Sequence, residues 1–93
     1  MNQLSGQVAL ITGAGSGVGR AAALALAEEG AAVVVSGRSE EPVRRTAELV
    51  RALPGVREES VSIAVCDVSD VAQVQRMVQD TMAGHGRLDV LVN

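Results

Sequence analysis

A chain of 93 residues with a formal net charge of −3 has room for a single domain. Apolar residues make up 47% against 20% charged, which excludes a disordered segment, and the eight basic residues are scattered, which leaves no electrostatic footprint for nucleic acid. No apolar run approaches the roughly 20 residues of a membrane span, and no basic stretch precedes an apolar one at the start, so neither a membrane anchor nor a signal peptide is expected.

Two absences narrow the chemistry. There is no Phe, Trp or Tyr, and all eight basic residues are Arg, so the chain has neither a phenol nor a side-chain amine to offer a reaction. The single cysteine, Cys66, has no internal partner for a disulfide, which fits a reducing, cytoplasmic setting.

Met1 to Gly6 is a polar lead-in. Val8 to Ile11 is a short apolar run without alternation, the pattern of a strand covered on both faces. Thr12 ends it, and Gly13, Gly15, Gly17 and Gly19 follow at every second position. Glycines there let the backbone turn sharply and come close to a ligand. The spacing predicts a helix from Val18 to Glu29, whose free first-turn N–H groups favour a phosphate. Gly30 stops it, and Ala31 to Val35 form a second apolar strand. Strand, glycine turn, helix and strand make the βαβ unit of a dinucleotide-binding fold.

Ser36 to Ser39 lead away from this strand, and Ser39 is placed to cap a helix with Glu40 and Glu41 in its first turn. Val43, Ala47, Val50 and Leu53 give that helix one apolar stripe, and Pro54-Gly55 ends it. Arg57 to Ser60 reads as a polar loop, and Val61 to Cys66 as the third strand, closed by Asp67-Val68. A third helix begins near Ser69 or Asp70, with Asp70 and Gln73 spaced for a capping box. Its expected buried stripe is Val71, Val74, Val78 and Met82, with Met77 alongside, and Gly84 and Gly86 are expected to end it. Leu88 to Val92 is the fourth strand, before Asn93. Strands alternating with helices imply an α/β fold: a parallel, Rossmann-type sheet in the order 3-2-1-4, with helices on both faces and right-handed crossovers. Residues 1–93 are expected to be one partial dinucleotide-binding domain that stops after its fourth strand.

The strict G-x-G-x-x-G fingerprint is absent, and Gly17, Gly19 and Ala22 fit only the looser form ending in Ala. T-G-A-G-S-G-V-G at Thr12–Gly19, Asp67-Val68 after the third strand and L-D-V-L-V-N at Leu88–Asn93 occur in order. Together they resemble the short-chain dehydrogenase/reductase family over essentially the whole chain. The bland alternative is a glycine turn that merely packs a helix on a sheet. The resemblance implies a dinucleotide coenzyme. Thr12 and Gly13 would help form the turn, and Ser16, Gly17, Val18 and Gly19 would lie along the coenzyme phosphates and adjacent ribose. Asp67 and the Val68 amide would contact adenine, although an Asp at a strand end also serves as a helix cap. Asn93 would contact the nicotinamide-side ribose or stabilise the central strand. The family's catalytic Tyr-x-x-x-Lys and Ser lie further on than this chain reaches, so no catalytic residue is assigned within it. No metal is expected, since His85 has no companion ligands and Cys66 reads as a small buried hydrophobe.

Coenzyme choice is read at the end of the second strand. The position where NAD-binding folds place an acid is Gly37, which carries no carboxylate. Arg38 follows and can form bidentate bonds to a 2′-phosphate, with Ser39 adding a hydroxyl and an amide. Arg38 as a plain solvated loop residue is the alternative. Ser16 argues the other way, since many NADP-preferring relatives carry a basic residue there. NADP(H) is expected over NAD(H), with NAD(H) still open. The function implied is the coenzyme-binding part of an oxidoreductase moving hydride between nicotinamide and a small carbonyl or alcohol substrate, inactive as these 93 residues alone. The alternative is a nucleotide-binding module without catalysis. Homo-oligomers would be a property of the longer enzyme.

Overall fold

The computed structural model describes residues 3–93. The elements are β1 (Val8–Ile11), α1 (Gly17–Glu28), β2 (Ala32–Gly37), α2 (Glu40–Arg51), a 3-10 turn (Glu58–Ser60), β3 (Val61–Val65), α3 (Val71–His85) and β4 (Val90–Val92). The four strands form one sheet in the order β3-β2-β1-β4, and every pairing is parallel. The register sets Ile11 beside Val35 on one side and Val92 on the other.

Alternation along the strands divides the core in two. Ala9, Ile11, Val33 and Val35 face α1 and α2 and pack with Ala23, Ala27, Val43, Ala47 and Val50. Leu10 and Val34 face the other way and pack with Cys66 and Met77. Helices therefore cover both faces of the sheet, and β1 is buried at all four positions, as its unbroken apolar run requires. The small residues of α1, fully buried Ala23 among them, let its backbone lie close to the strands.

Helix α1 ends as glycine chemistry dictates. Gly30 takes φ +97°, its amide donates to Ala27 O, and the Ala31 amide donates to Leu26 O, which is the Schellman pattern.

Several boundaries differ from those the sequence suggests. Strand β2 runs two residues further, through Ser36 and Gly37, because β3 pairs there with Ala64 and Val65. Gly84 lies inside α3, and Gly86, at φ +80°, closes it. The buried side of α3 is rotated from the expected stripe. Met77 and Thr81 are buried and Val74 and Val78 half-buried, whereas Val71 and Met82 are 69% and 45% exposed. Contact with Leu10 and Val34 sets that rotation through Met77, and Thr81 satisfies its hydroxyl within the helix by donating to Met77 O.

Candidate coenzyme site

Because the strands are parallel, their C-terminal ends share one edge of the sheet, and the segments connecting them onward meet there. These are Thr12 to Gly19 after β1, Arg38 and Ser39 after β2, Cys66 to Val68 after β3, and Asn93 after β4. An open sheet binds its ligands at this edge, in the crevice where the chain turns from one face to the other.

The glycine turn is built from two left-handed residues, Gly13 at φ +59° and Gly17 at φ +56°, and a β-carbon at either would meet nothing within 4 Å. The backbone is open to a ligand at these two positions. The amides of Gly15, Ser16, Gly17, Val18 and Gly19 donate to no group among the described residues. Ser16 occupies the N-cap position in extended conformation, and its hydroxyl does not cap the helix. A run of unspent amides at the positive end of a twelve-residue helix suits an anion. Val18 is 84% exposed at the same place, an apolar side chain offered to the crevice.

Gly19 has a packing requirement of its own within the turn. A β-carbon there would overlap the Gly13 carbonyl, 2.7 Å from its carbon, so the position must be bare for the turn to close on the helix. A β-carbon on Gly15 would lie 2.9 Å from the Pro42 β-carbon, so this glycine lets α2 approach the turn.

Two residues in this region carry no motif signal. Arg20 Nε donates to the Thr46 hydroxyl at 2.9 Å, and its Nη2 donates to the carbonyls of Gly15 at 2.7 Å and Pro42 at 3.2 Å. Thr46, fully buried in α2, donates onward to the Ala14 carbonyl at 2.5 Å. The Ala14 amide donates to Ser36 O, so the turn is tied to β2 as well.

Thr12 does not bond within the turn. Its amide and hydroxyl reach Val92 O at 2.9 and 3.2 Å, and the hydroxyl lies 3.1 Å from Asn93 Oδ1, joining the ends of β1 and β4. Asp67 accepts from the Ser69 hydroxyl and amide at 2.7 and 2.9 Å, and its own amide donates to Gln73 Oε1. Those bonds from the Ser69 hydroxyl and then its amide, with a smaller pull from the Arg38 charge, hold the Asp67 carboxyl below its ordinary range. Asp70, the residue that caps α3, accepts from the Gln73 amide. The reciprocal half of the expected capping box is diverted, since the Gln73 carbonyl serves Asp67 instead.

Arg38 and Ser39 are exposed, and Arg38 forms no hydrogen bond or ion pair among the described residues. Ser39 stands at the N-cap of α2 but its hydroxyl does not cap the helix, contrary to expectation. A β-carbon on Gly37 would fall 2.6 Å from Val43 Cγ2, so the side chain of α2 fills the space where an acid would start. Val68 is 55% exposed beside Asp67. Cys66 is buried, and burial, reinforced by the nearby Asp67 and Asp70 charges, pushes its thiol up and keeps it neutral. His85 lies away from this edge, with Nε2 3.0 Å from the Ser62 hydroxyl, and no group of three His, Cys, Asp or Glu among the described residues is arranged for a metal. No helix among them is long and apolar enough to cross a membrane.

The sequence profile described as short chain dehydrogenase matches residues 7–93. A short chain dehydrogenase/reductase of Aspergillus oryzae is 47% identical over 90 residues, covering 97% of this chain and 33% of its own length. Among solved structures, apo glucose dehydrogenase of Caenorhabditis elegans superposes with a TM-score of 0.92 at 38% identity, covering 98% of this chain and 38% of that one. A short-chain dehydrogenase/reductase of unknown function from the same organism, solved with cofactor, gives 0.90 at 34% identity, covering 96% and 32%. The chain thus spans about a third of the length of each of these relatives.

Proposed function

The chain belongs to the short chain dehydrogenase family, and from that premise we propose that residues 1–93 are the coenzyme-binding part of an NADP(H)-dependent oxidoreductase acting on a small carbonyl or alcohol. The observation that carries this reading is the run of five unspent amides from Gly15 to Gly19, at a helix N-terminus on the carboxyl edge of a parallel sheet. They would receive the pyrophosphate. Gly13 and Gly17 would leave the backbone bare beside it, and Val18 would lie against the adjacent ribose. Asp67 and Val68 would border adenine, and Asn93, reached by Thr12, would border the nicotinamide-side ribose. The coenzyme carries hydride at its nicotinamide ring, and the chain's share is to bind and orient it.

The preference for NADP(H) over NAD(H) rests on the end of β2 and the two residues beyond it. Gly37 has no carboxylate to repel a 2′-phosphate, and Val43 occupies the space a side chain there would need. Arg38 is exposed, charged and free of other partners among the described residues, and Ser39 has a hydroxyl that the helix does not use. These 93 residues contain no Tyr and no Lys, so by themselves they lack the proton donor that carbonyl reduction by the family's route requires. A reducing, cytoplasmic setting and assembly into homo-oligomers as part of a longer enzyme belong to the same proposal.

Titration of the purified chain with NADPH and NADH, followed by nicotinamide fluorescence, tests the assignment. NADPH should bind at least about tenfold tighter, and Arg38→Ala should remove most of that difference, as expected for the loss of charge-assisted bonds. An unchanged preference in the variant would defeat the NADP reading, and no binding of either coenzyme would defeat the site. With a panel of ketones and aldehydes, the chain should show no saturable oxidation of NADPH.

A further inference from the structure

We propose that Arg20 and Thr46 are positioning residues that aim the glycine turn's amides at the pyrophosphate, an inference that rests on the coenzyme reading above. In a planar trans peptide the C=O of one residue and the N–H of the next point in opposite directions, and no peptide in the described chain is cis. Fixing the Ala14 carbonyl therefore fixes the Gly15 amide, and fixing the Gly15 carbonyl fixes the Ser16 amide.

Both carbonyls are held by side-chain donors. The buried Thr46 hydroxyl donates to Ala14 O, and Arg20 Nη2 donates to Gly15 O. Arg20 Nε donates to the same Thr46 oxygen. The single threonine proton has Ala14 O at 2.5 Å and Pro42 O at 3.2 Å as acceptors, and the shorter distance assigns it to Ala14, while the second Nη2 proton of Arg20 takes Pro42 O. The result is a relay from α1 through α2 to the turn. Ala14 O is held by Thr46 of α2 and Gly15 O by Arg20 of α1, and the two amides behind them, which point the opposite way across each peptide, have no partner among the described residues.

A glycine-rich turn needs such a restraint. Gly13, Gly15 and Gly17 have no side chains to limit their backbone, and a flipped peptide would present a carbonyl oxygen to a phosphate. The bare Gly15, which lets Pro42 approach, brings Thr46 within reach. Arg20 adds a second effect, since its positive charge sits beside the Gly15 carbonyl. Thr46 carries no charge, so its removal isolates orientation from electrostatics.

The test uses Thr46→Val, which keeps the shape and removes the hydroxyl, Thr46→Ser, which keeps the hydroxyl, and Arg20→Met, which keeps the aliphatic stem. Affinities are measured for NADP+ and ADP, which carry a diphosphate, and for adenosine 2′-monophosphate, which does not. The amide resonances of Ala14, Gly15 and Ser16 are followed without ligand in 15N-labelled protein. Thr46→Val should weaken NADP+ and ADP by roughly fivefold, and Arg20→Met by roughly tenfold or more, consistent with one neutral bond and with bonds from a charged donor. Adenosine 2′-monophosphate should change less than about twofold, and Thr46→Ser should bind as the parent does. The Gly15 and Ser16 amides should shift or broaden in Thr46→Val, while Ala14, held by Ser36, stays in place. A loss shared equally by all three nucleotides would overturn the proposal by showing general destabilisation, and unmoved Gly15 and Ser16 amides would overturn it whatever the affinities. A parent chain that binds none of the nucleotides, with amides that do respond to Thr46→Val, would instead refute the coenzyme reading and leave the peptide restraint standing.

Discussion

At the scale of single residues, the motif glycines are not equivalent. Gly13 and Gly17 are needed for their backbone angles and for the open space beside them, Gly19 for contact with Gly13, and Gly15 for contact with α2. Gly13→Ala should cost about 1–2 kcal/mol for placing a β-carbon in the left-handed region without any clash. Gly19→Ala forces backbone apart and should cost at least the roughly 1–3 kcal/mol of an overpacked site, with coenzyme binding lost as the turn opens. Urea denaturation of the two variants, compared with their NADPH affinities, separates the cases. If Gly19→Ala were as stable as the parent but could not bind, the space beside its α-carbon would face ligand and not Gly13. Asp67 gives a pH signature. Its carboxyl is held below the ordinary value of 3.8 in the folded chain, so it stabilises the fold fully above that value, and the contribution fades as pH falls through the lower folded value. Asp67→Asn should therefore be less stable than the parent at neutral pH, and the gap should close under acid; a gap that stays constant down to about pH 2 would mean that ionisation is irrelevant there.

Elements are legible in the sequence to the extent that their signals are local. The glycine turn, the unbroken apolar runs and the Gly30 stop each announce themselves within a few residues, whereas α2 ends at Arg51, ahead of Pro54-Gly55 and with Leu53 outside the helix. The rotation of α3 does not announce itself, because Val71, Val74, Val78 and Met82 form one stripe by spacing, and only packing against Leu10 and Val34 shows that Met77, Val74 and Val78 face the sheet, with Thr81 buried and Val71 and Met82 left exposed. Substitution should show which face is inside. Met77→Ala should cost about 2–5 kcal/mol as a buried truncation, whereas Val71→Ser, at a site 69% exposed, should stay within about 0.5 kcal/mol. Equal urea midpoints for the two variants would restore the stripe read from spacing. Arg20 and Thr46 carry no local signal for a related reason. An arginine on a helix reads as solvated and a threonine among charged neighbours reads as surface, and they lie 26 residues apart. The missing acid at Gly37 is plain in the sequence, but Val43, which leaves no room for one, is visible only when the two elements are packed.

For the molecule as a whole, the alternation of elements makes the sheet parallel, the dinucleotide-binding βαβ start sets its order, and the common edge where the candidate residues gather follows from the strands being parallel. What pairs with the outer side of β4 lies beyond that logic. The strand is three residues long, bonded on one side to β1, with Leu91 57% exposed. An apolar strand with an open side recruits further strands. The isolated chain should associate as its concentration rises through the micromolar range, as read by light scattering, and a monodisperse monomer at several hundred micromolar would contradict this.

The pairing of β1 with β4 also imposes an order in time. The bonds that close it, from Val8 to Asp89 and from Thr12 to Val92 and Asn93, join residues 80 or 81 positions apart, whereas β1 meets β2 across a far shorter loop, Val8 beside Ala32. Short loops close first because they lose less chain entropy. On the ribosome, at about 5–20 residues per second, β4 would be made about 4–16 s after β1. Until then β1, apolar at every position, is itself the rim of a growing three-strand sheet. The strand most deeply buried in the finished protein is thus the one most in need of shelter while the protein is being made.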